Sequence, residues 1–426
     1  MTERSDNIAE KAKRDQTRPL VSAVLDDGTI VETLFRAKEN ETLFCIGKDG
    51  EWREAPEILI KGRRYVPYSP ENNLLKHRAV LLPEKPEEYG TQADLVTDIQ
   101  AFIHRYAQVS SAFEQLAAYY VLFSWVHDAF NELPYLRVQA GYGCGKTRFL
   151  LTVGSLCYKP IFASGASTVS PLFRILDAFQ GTLIIDESDF RVSDEKAEVV
   201  KILNNGSVRG FPVLRSEITP NKEINPRAFH VFGPKIMASR GPFEDPALES
   251  RFLTETLGRE PLRPDIPINL PNVHGEEALH LRNRLLAYRL DRLHTVRLLD
   301  SDNGPSAMPR FDQITRPLFS IVEDAQAREE LRQFGVHAAE TAREDSTEER
   351  LLGIIREMMA EGDTRLSVGE ITARFAERHA GQYHRPVTPK WIGWELRTRL
   401  GLDTRKSEGV FVVSPEEAPG MFGQED

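Results

Sequence analysis

The sequence predicts an α/β protein: a parallel sheet carrying a phosphate-binding loop, with a small β-rich module before it and helical segments and a small domain after it. Three observations predict this. The short apolar run Tyr135–Gln139 leads straight into the glycine-rich "AGYGCGKT" (140–147) and then into a helical pattern. About 40 residues after Lys146, a second apolar run ends in Asp186-Glu187. Between 135 and 257, β-rich runs alternate with helical stretches, as in a parallel sheet with crossover helices.

The bulk numbers frame the rest. At roughly 100–200 residues per domain, a 426-residue chain holds two to four domains. Hydrophobic residues make up 41% and charged residues 28%, the balance of an ordinary globular protein. The net charge of -10 argues against a uniformly basic surface, though a local basic patch or the inside of a ring remains open. Cys45, Cys144 and Cys157 form no C-x-x-C pair and no Cys/His metal spacing, so neither a disulfide framework nor a zinc site is indicated, and the usage fits a reducing cytoplasm. No apolar run approaches the ~18 residues of a membrane span, so no membrane partner is expected.

In chain order, 1–19 is charged and polar and reads as a disordered tail. Residues 20–82 alternate polar and apolar with turns at Asp27-Gly28 and Asp49-Gly50, a β-rich module. The proline-containing stretch 83–89 reads as a linker, and 92–134 has helical spacing that leads into the core at 135–260. Residues 276–342 are again helical and rich in arginine. Residues 346–415 read as a separate domain of three helices: the first "TEERLLGIIREMMAEG", the second opened by a Ser367/Glu370 capping box, the third by Thr388-Pro389. The closing "RKSEGVFVVSP" reads as a β-wing, completing a winged-helix outline.

In the glycine-rich loop, Gly141, Gly143 and Gly145 let backbone N–H groups curl toward phosphate oxygens. Lys146 would reach the β- and γ-phosphates and the Thr147 hydroxyl a Mg²⁺ ion, with the next helix adding its dipole. Ala140, Tyr142, Cys144 and Arg148 complete the expected nucleotide contacts. The usual G-x-x-x-x-G-K-[ST] has glycine where Ala140 stands; a positive φ there would cost alanine, and adjacent Gly141 is free to take that role. Asp186 suits the metal, largely through water, and Glu187 suits orienting or deprotonating the attacking water. In "DPALESRFLTETL", a short helix feeds a strand and places Arg251 at a corner, suited to a neighbouring subunit's nucleotide or to an intrachain salt bridge.

The ordered set "AGYGCGKT", "LIIDESDF", "KIMAS" and "LESRF" resembles AAA+ ATPases, and within them a group related to the minichromosome-maintenance (MCM) helicases. "VVKILNNGSVRGFPVLR" is similar to the matching stretch in ATPases of plasmid, phage and chromosomal-island replication proteins. The resemblance covers 135–257 and implies an AAA+ core with a helical lid, ATP and Mg²⁺ as cofactors, and a homo-oligomeric ring, a hexamer, with sites between subunits. It implies Ser239 as sensor 1, Arg251 as an arginine finger, and Arg310 or Arg316 as sensor 2. It further implies a pore-facing hairpin with Lys222, helped by Arg227, on DNA. In the C-terminal domain Arg385, Lys390, Arg397, Arg399, Arg405 and Lys406 outnumber Glu395, Asp403 and Glu408 and suit phosphate contacts, while Trp391 and Trp394 suit the domain core. The expected function is a DNA helicase or translocase in replication of a mobile element, with other replication proteins as possible partners. The alternatives are an ATP-driven loader or remodeller of a partner protein, and a nucleotide-gated oligomeric switch in defence.

Overall fold

The computed structural model describes residues 17–141, 143–164, 169–186, 193–218, 224–243, 245–258, 262–300, 309–344, 347–362, 366–380, 386–407 and 410–413. Within them it is a mixed α/β protein. The chain divides into two compact units, 1–336 and 337–426.

The first unit opens with β1 (Thr17–Leu20), β2 (Ser22–Val24), β3 (Ile30–Arg36), β4 (Glu41–Lys48), β5 (Glu51–Ala55), β6 (Ile58–Ile60) and β7 (Arg63–Pro67). Strands β2 to β5 form an antiparallel meander around Val31, Phe44, Ile46 and Ala55. A second small sheet has the order β1-β7-β6, with β1 parallel to β7. Thr17–Pro19, which composition assigns to the tail, are therefore paired; four polar-flanked residues give no periodicity to read. The short helix α1 (Asn73–Lys76) follows.

The stretch 83–89, a linker by composition, is held along its length. The Phe35 N–H donates to the Pro83 carbonyl, and the Glu84 and Glu87 N–H groups donate to the side-chain and backbone carbonyls of Asn283. Helix α2 (Gln92–Tyr106) begins at a capping box made by Thr91 and Asp94. Helix α3 (Ser111–Val126) is buried on nearly every side from Leu116 onward, so it serves as a core helix rather than a one-faced surface helix.

The central sheet contains β8 (Tyr135–Gln139), β9 (Ile161–Ser164), β10 (Leu183–Asp186), β13 (Lys235–Ser239) and β14 (Phe252–Thr256), all parallel, in the order β14-β8-β13-β10-β9. Its inner strands β10 and β13 are mainly apolar and buried, as in a sheet covered by helices, while edge strand β14 is mixed. The crossovers are α4 (Lys146–Gly154), α5 (Val169–Phe179) and α6 (Ser193–Gly206). Between α6 and β13 a hairpin of β11 (Val213–Ile218) and β12 (Ile224–Phe229) projects. The short helix α7 (Pro246–Glu249) precedes β14. Helices α8 (Val273–Arg292), α9 (Pro309–Phe319) and α10 (Ala325–Glu344) follow.

Buried charge joins the N-terminal sheet to this core. Glu32 on β3 accepts from the Tyr158 hydroxyl at 2.7 Å and the Arg289 Nε at 2.7 Å, and lies 3.2 Å from Lys159 Nζ. Arg289, on α8, also grips both oxygens of Asp128 at 2.7 Å. Burial, with the Arg289 charge, pushes the Lys159 ammonium down to about 8 against the pull of Glu32. The N-terminal module is thus locked to the segment after α4 and to α8 by one ionic cluster.

Lys235, at the start of β13, is a second buried cation and has no carboxylate beside it among the described residues. Its Nζ donates to the carbonyls of Val231 at 2.9 Å and Gly233 at 2.8 Å. A Cβ at Gly206 would lie 2.2 Å from this nitrogen, so the glycine makes the space. Burial pushes the Lys235 ammonium down to about 7. Between about 7 and its ordinary 10.5 the unfolded chain holds a proton that the folded chain has released, so stability rises with pH across that window and is lowest below it. Urea unfolding of wild type and Lys235→Met at pH 6.5 and pH 9 tests this. The wild type should gain about 2 kcal/mol on the variant over that interval. A constant gap would mean that the carbonyls keep the amine charged.

The second unit contains α11 (Thr347–Ala360), β15 (Leu366–Ser367), α12 (Val368–His379), α13 (Pro389–Thr398), β16 (Thr404–Ser407) and β17 (Val410–Val413), with sheet order β15-β17-β16. Ser367 caps α12 and Thr388 caps α13. Leu351, Ile355, Ile371, Phe375, Ile392 and Leu396 fill its core.

Candidate active site

Strand β8 delivers the glycine-rich loop at its C-terminal end, and α4 starts at Lys146. Gly143 and Gly145 have φ of +79° and +83°, a region that only glycine enters freely. Ala140 and Gly141 do not. The departure from the usual glycine therefore costs nothing at Ala140, and Gly141 is not needed to relieve it. Ala140 is buried, its N–H donating to the Ser239 carbonyl at 3.2 Å. Tyr142 lies outside the described residues.

The Lys146 side chain is folded back over the loop: its Nζ donates to the Ala140 carbonyl at 2.9 Å and to that of Gly141. These carbonyls hold the ammonium within the loop that a phosphate chain would fill. The Thr147 hydroxyl donates to Asp186 Oδ2 at 2.8 Å. Two oxygens suited to a hard cation thus meet at the ends of β10 and α4. Strand β13 lies between β8 and β10, pairing Asp186 with Ala238 and Ser239 with Gln139. Loop, acid and Ser239 therefore share the C-terminal edge of the sheet. Ser239 is buried and its hydroxyl donates to the Gly241 carbonyl at 3.0 Å. Glu187 lies outside the described residues.

The residues present fit a nucleoside triphosphate with Mg²⁺. The loop carries the two positive-φ glycines, a lysine within it, and a hydroxyl bonded to a carboxylate. Arg148 is engaged elsewhere, donating to the Pro267 and Ile268 carbonyls at 2.9 and 2.6 Å. It fastens the segment after β14 to α4. Cys144 lies against Gly258, where an added Cβ would be 2.8 Å from its sulfur.

Arg251 sits at the opposite edge. It immediately precedes β14, whose Phe252 pairs with Tyr135 and whose Thr256 pairs with Gln139. It is therefore about 16 Å of strand away from the loop end of the sheet. Its guanidinium donates to Ser207 at 3.0 Å, Asn204 at 2.9 Å and the Ala247 carbonyl at 2.8 Å, all neutral partners. Burial pushes its pKa down, and the nearby Arg310 charge pushes the same way. Arg310 and Arg316 both lie on α9, but six residues apart, hence on different faces. Only Arg310 is beside Arg251.

One residue that sequence reasoning passes over fixes this corner. Arg137, in the middle of β8, is fully buried and forks onto Glu249, with Nη1 donating at 2.8 Å, while its Nε donates to Thr254 at 3.0 Å. It anchors α7, the helix that leads into Arg251. An arginine inside an apolar strand, without a nearby carboxylate, was the available signal.

The remaining candidates are spread. Lys222 and Arg385 lie outside the described residues. Arg227 is turned along its hairpin toward Asp177 at 3.3 Å and over the Phe229 ring. Lys390, Arg397, Arg399, Arg405 and Lys406 are exposed on α13, the turn after it, and β16. Arg397 donates to Thr404, and Arg399 lies near Glu348 at 4.0 Å. No helix among the described residues is long and apolar enough to cross a membrane.

No protein-family profile and no curated protein matches the sequence. Among solved structures the chain is similar to "SCCmec type IV Cch - active helicase", with 11% identity over 99% of this chain and 84% of that one and a TM-score of 0.44. It is also similar to the C-terminal region of NrS-1, with 12% identity over 90% of this chain and 96% of that one, TM-score 0.35. A full-length MCM homolog from Methanopyrus kandleri matches 71% of this chain and 67% of its own at 14% identity, TM-score 0.33.

Proposed function

We propose that this protein is an ATP-hydrolysing AAA+ motor that acts on DNA, as a helicase or translocase in replication of a mobile element, and that it works as a ring, most simply a hexamer. The observation that carries the ATPase reading is the meeting of Lys146, Thr147 and Asp186 at one end of a parallel sheet. Lys146 would exchange its loop carbonyls for phosphate oxygens. Thr147 and Asp186 would hold Mg²⁺, which neutralises charge on the transferred phosphoryl group. Glu187, next along the chain, would orient the attacking water, and Ser239 would touch that water or the γ-phosphate.

The placement of Arg251 supports the ring. A cation a full strand length from its own phosphate loop serves a nucleotide only if that nucleotide belongs to another copy. Arg310 beside it is the better choice for the second cation, since Arg316 is on another face. The hairpin of β11 and β12 would carry Lys222 toward DNA, and the three helices and hairpin of the second unit would form a winged helix.

Steady-state ATP hydrolysis with and without single-stranded DNA is the test. Wild type should hydrolyse ATP and be stimulated by DNA, and Lys146→Ala should lose at least a hundredfold of the rate. Hydrolysis that ignores DNA would transfer the assignment to a remodeller of a partner protein. ATP bound without turnover would transfer it to a nucleotide-gated switch.

A further inference from the structure

Helix α13 buries Ile392, Glu395 and Leu396. Trp391 joins that inner face: its ring packs edge-on against Phe375, and its indole N–H donates to Glu395 at 2.8 Å. The outer face is left to Lys390, Trp394 and Arg397, spaced i, i+4 and i+7 and so forming one stripe. Trp394, in its centre, is 45% exposed, with the Arg399 guanidinium 5.9 Å from the centre of its ring.

The stripe continues onto the hairpin. Arg397 Nη1 donates to Thr404 Oγ1 at 2.7 Å, so its lower end touches β16. Side chains alternate along a strand, so Thr404 and Lys406 share a face. Their cross-strand partners are Val413 and Phe411, which share that face too. Val413 is buried in the core, while Phe411 is 53% exposed. Two exposed rings, Trp394 and Phe411, and three exposed cations, Lys390, Arg397 and Lys406, thus lie on a helix and a hairpin that meet at the Arg397–Thr404 hydrogen bond. None of the three has a carboxylate partner among the described residues.

We propose that this surface binds unpaired DNA, with bases stacked on Trp394 and Phe411 and phosphates along Lys390, Arg397 and Lys406. The inference rests on the reading that the protein acts on DNA and specifies which form this unit takes. A lone exposed aromatic residue is common on protein surfaces. Rings set within a line of cations are the combination that holds single strands, because every base has a face to stack and every phosphate a charge to meet. In a duplex the base faces are already stacked on each other, and an indole would find only edges and backbone.

The full-length protein is titrated with labelled oligothymidylate and with a duplex of equal length, following anisotropy and intrinsic tryptophan fluorescence. Oligothymidylate should quench the fluorescence, and Trp394→Phe should abolish the quench while keeping affinity. Trp394→Ala and Phe411→Ala should each weaken single-strand binding about tenfold without changing its salt dependence. Lys390→Ala should weaken binding and flatten the salt dependence. Single-strand binding with no quench at Trp394, or equal losses on single strand and duplex, would overturn the proposal while leaving DNA as the ligand. Binding of neither DNA would overturn both this proposal and the DNA reading of the function.

Discussion

Arg251→Ala is expected to lower ATP hydrolysis by roughly 10³-fold while nucleotide binding survives. The reason is topological. In the proposed reading binding depends on the loop at the C-terminal edge of the sheet, and Arg251 is at the other edge. Mixing is the sharper measurement. Lys146→Ala lacks the loop cation and Arg251→Ala lacks the corner cation, so each alone should be inactive. Mixed rings would contain interfaces where one copy supplies Lys146 and its neighbour supplies Arg251, and activity should return. Arg251→Gln, which removes the charge but leaves an amide donor beside Ser207 and Asn204, controls for local misfolding. Full activity in Arg251→Ala would end the assignment of this residue to a shared site. Two inactive variants that stay inactive on mixing would place its effect within one chain.

The second large effect concerns stability. Glu32→Ala should destabilise the first unit by about 3–5 kcal/mol, because it strands Lys159 in the interior and takes from Arg289 one of its two carboxylates. Among the described residues Lys159 loses its ion-pair partner, and Arg289 keeps only Asp128. The double change Glu32→Leu with Lys159→Met should recover a large part of the loss, since an ion pair replaced by well-packed apolar groups is often neutral. Chemical unfolding of the three proteins, followed by far-UV circular dichroism, measures it. A loss below about 1 kcal/mol for Glu32→Ala would mean that water reaches the cluster and that the N-terminal sheet is not locked by it.

Some of the site was legible because its chemistry dictates local sequence. A tight phosphate loop needs glycine where φ is positive, and Gly143 and Gly145 are there. A carboxylate at the end of a buried strand shows as an apolar run that stops at an acid, and Asp186 does meet Thr147. Ala140 illustrates the limit of motif reading: the pattern asks for glycine, but the backbone at that position does not. Arg148 illustrates another: adjacency to the loop suggested a nucleotide contact, and its guanidinium goes to carbonyls about 120 residues away. The pairing of Trp391 and Trp394 on one helix suggested a shared core role, yet only Trp391 packs inward.

By itself the sequence determined the elements whose signals are short-ranged: the strand, loop and helix around Lys146, the acidic strand end at Asp186, and the caps at Ser367 and Thr388. Each depends on residues within a few positions, where backbone geometry and capping act. Only the tertiary structure decided which edge of the sheet holds Arg251, that Arg137 pins Glu249, and that Glu32 closes an ionic cluster with Lys159 and Arg289. Those partners are separated by more than a hundred residues in the chain. Burial in a shared low-dielectric interior, which no local pattern encodes, is what makes them interact.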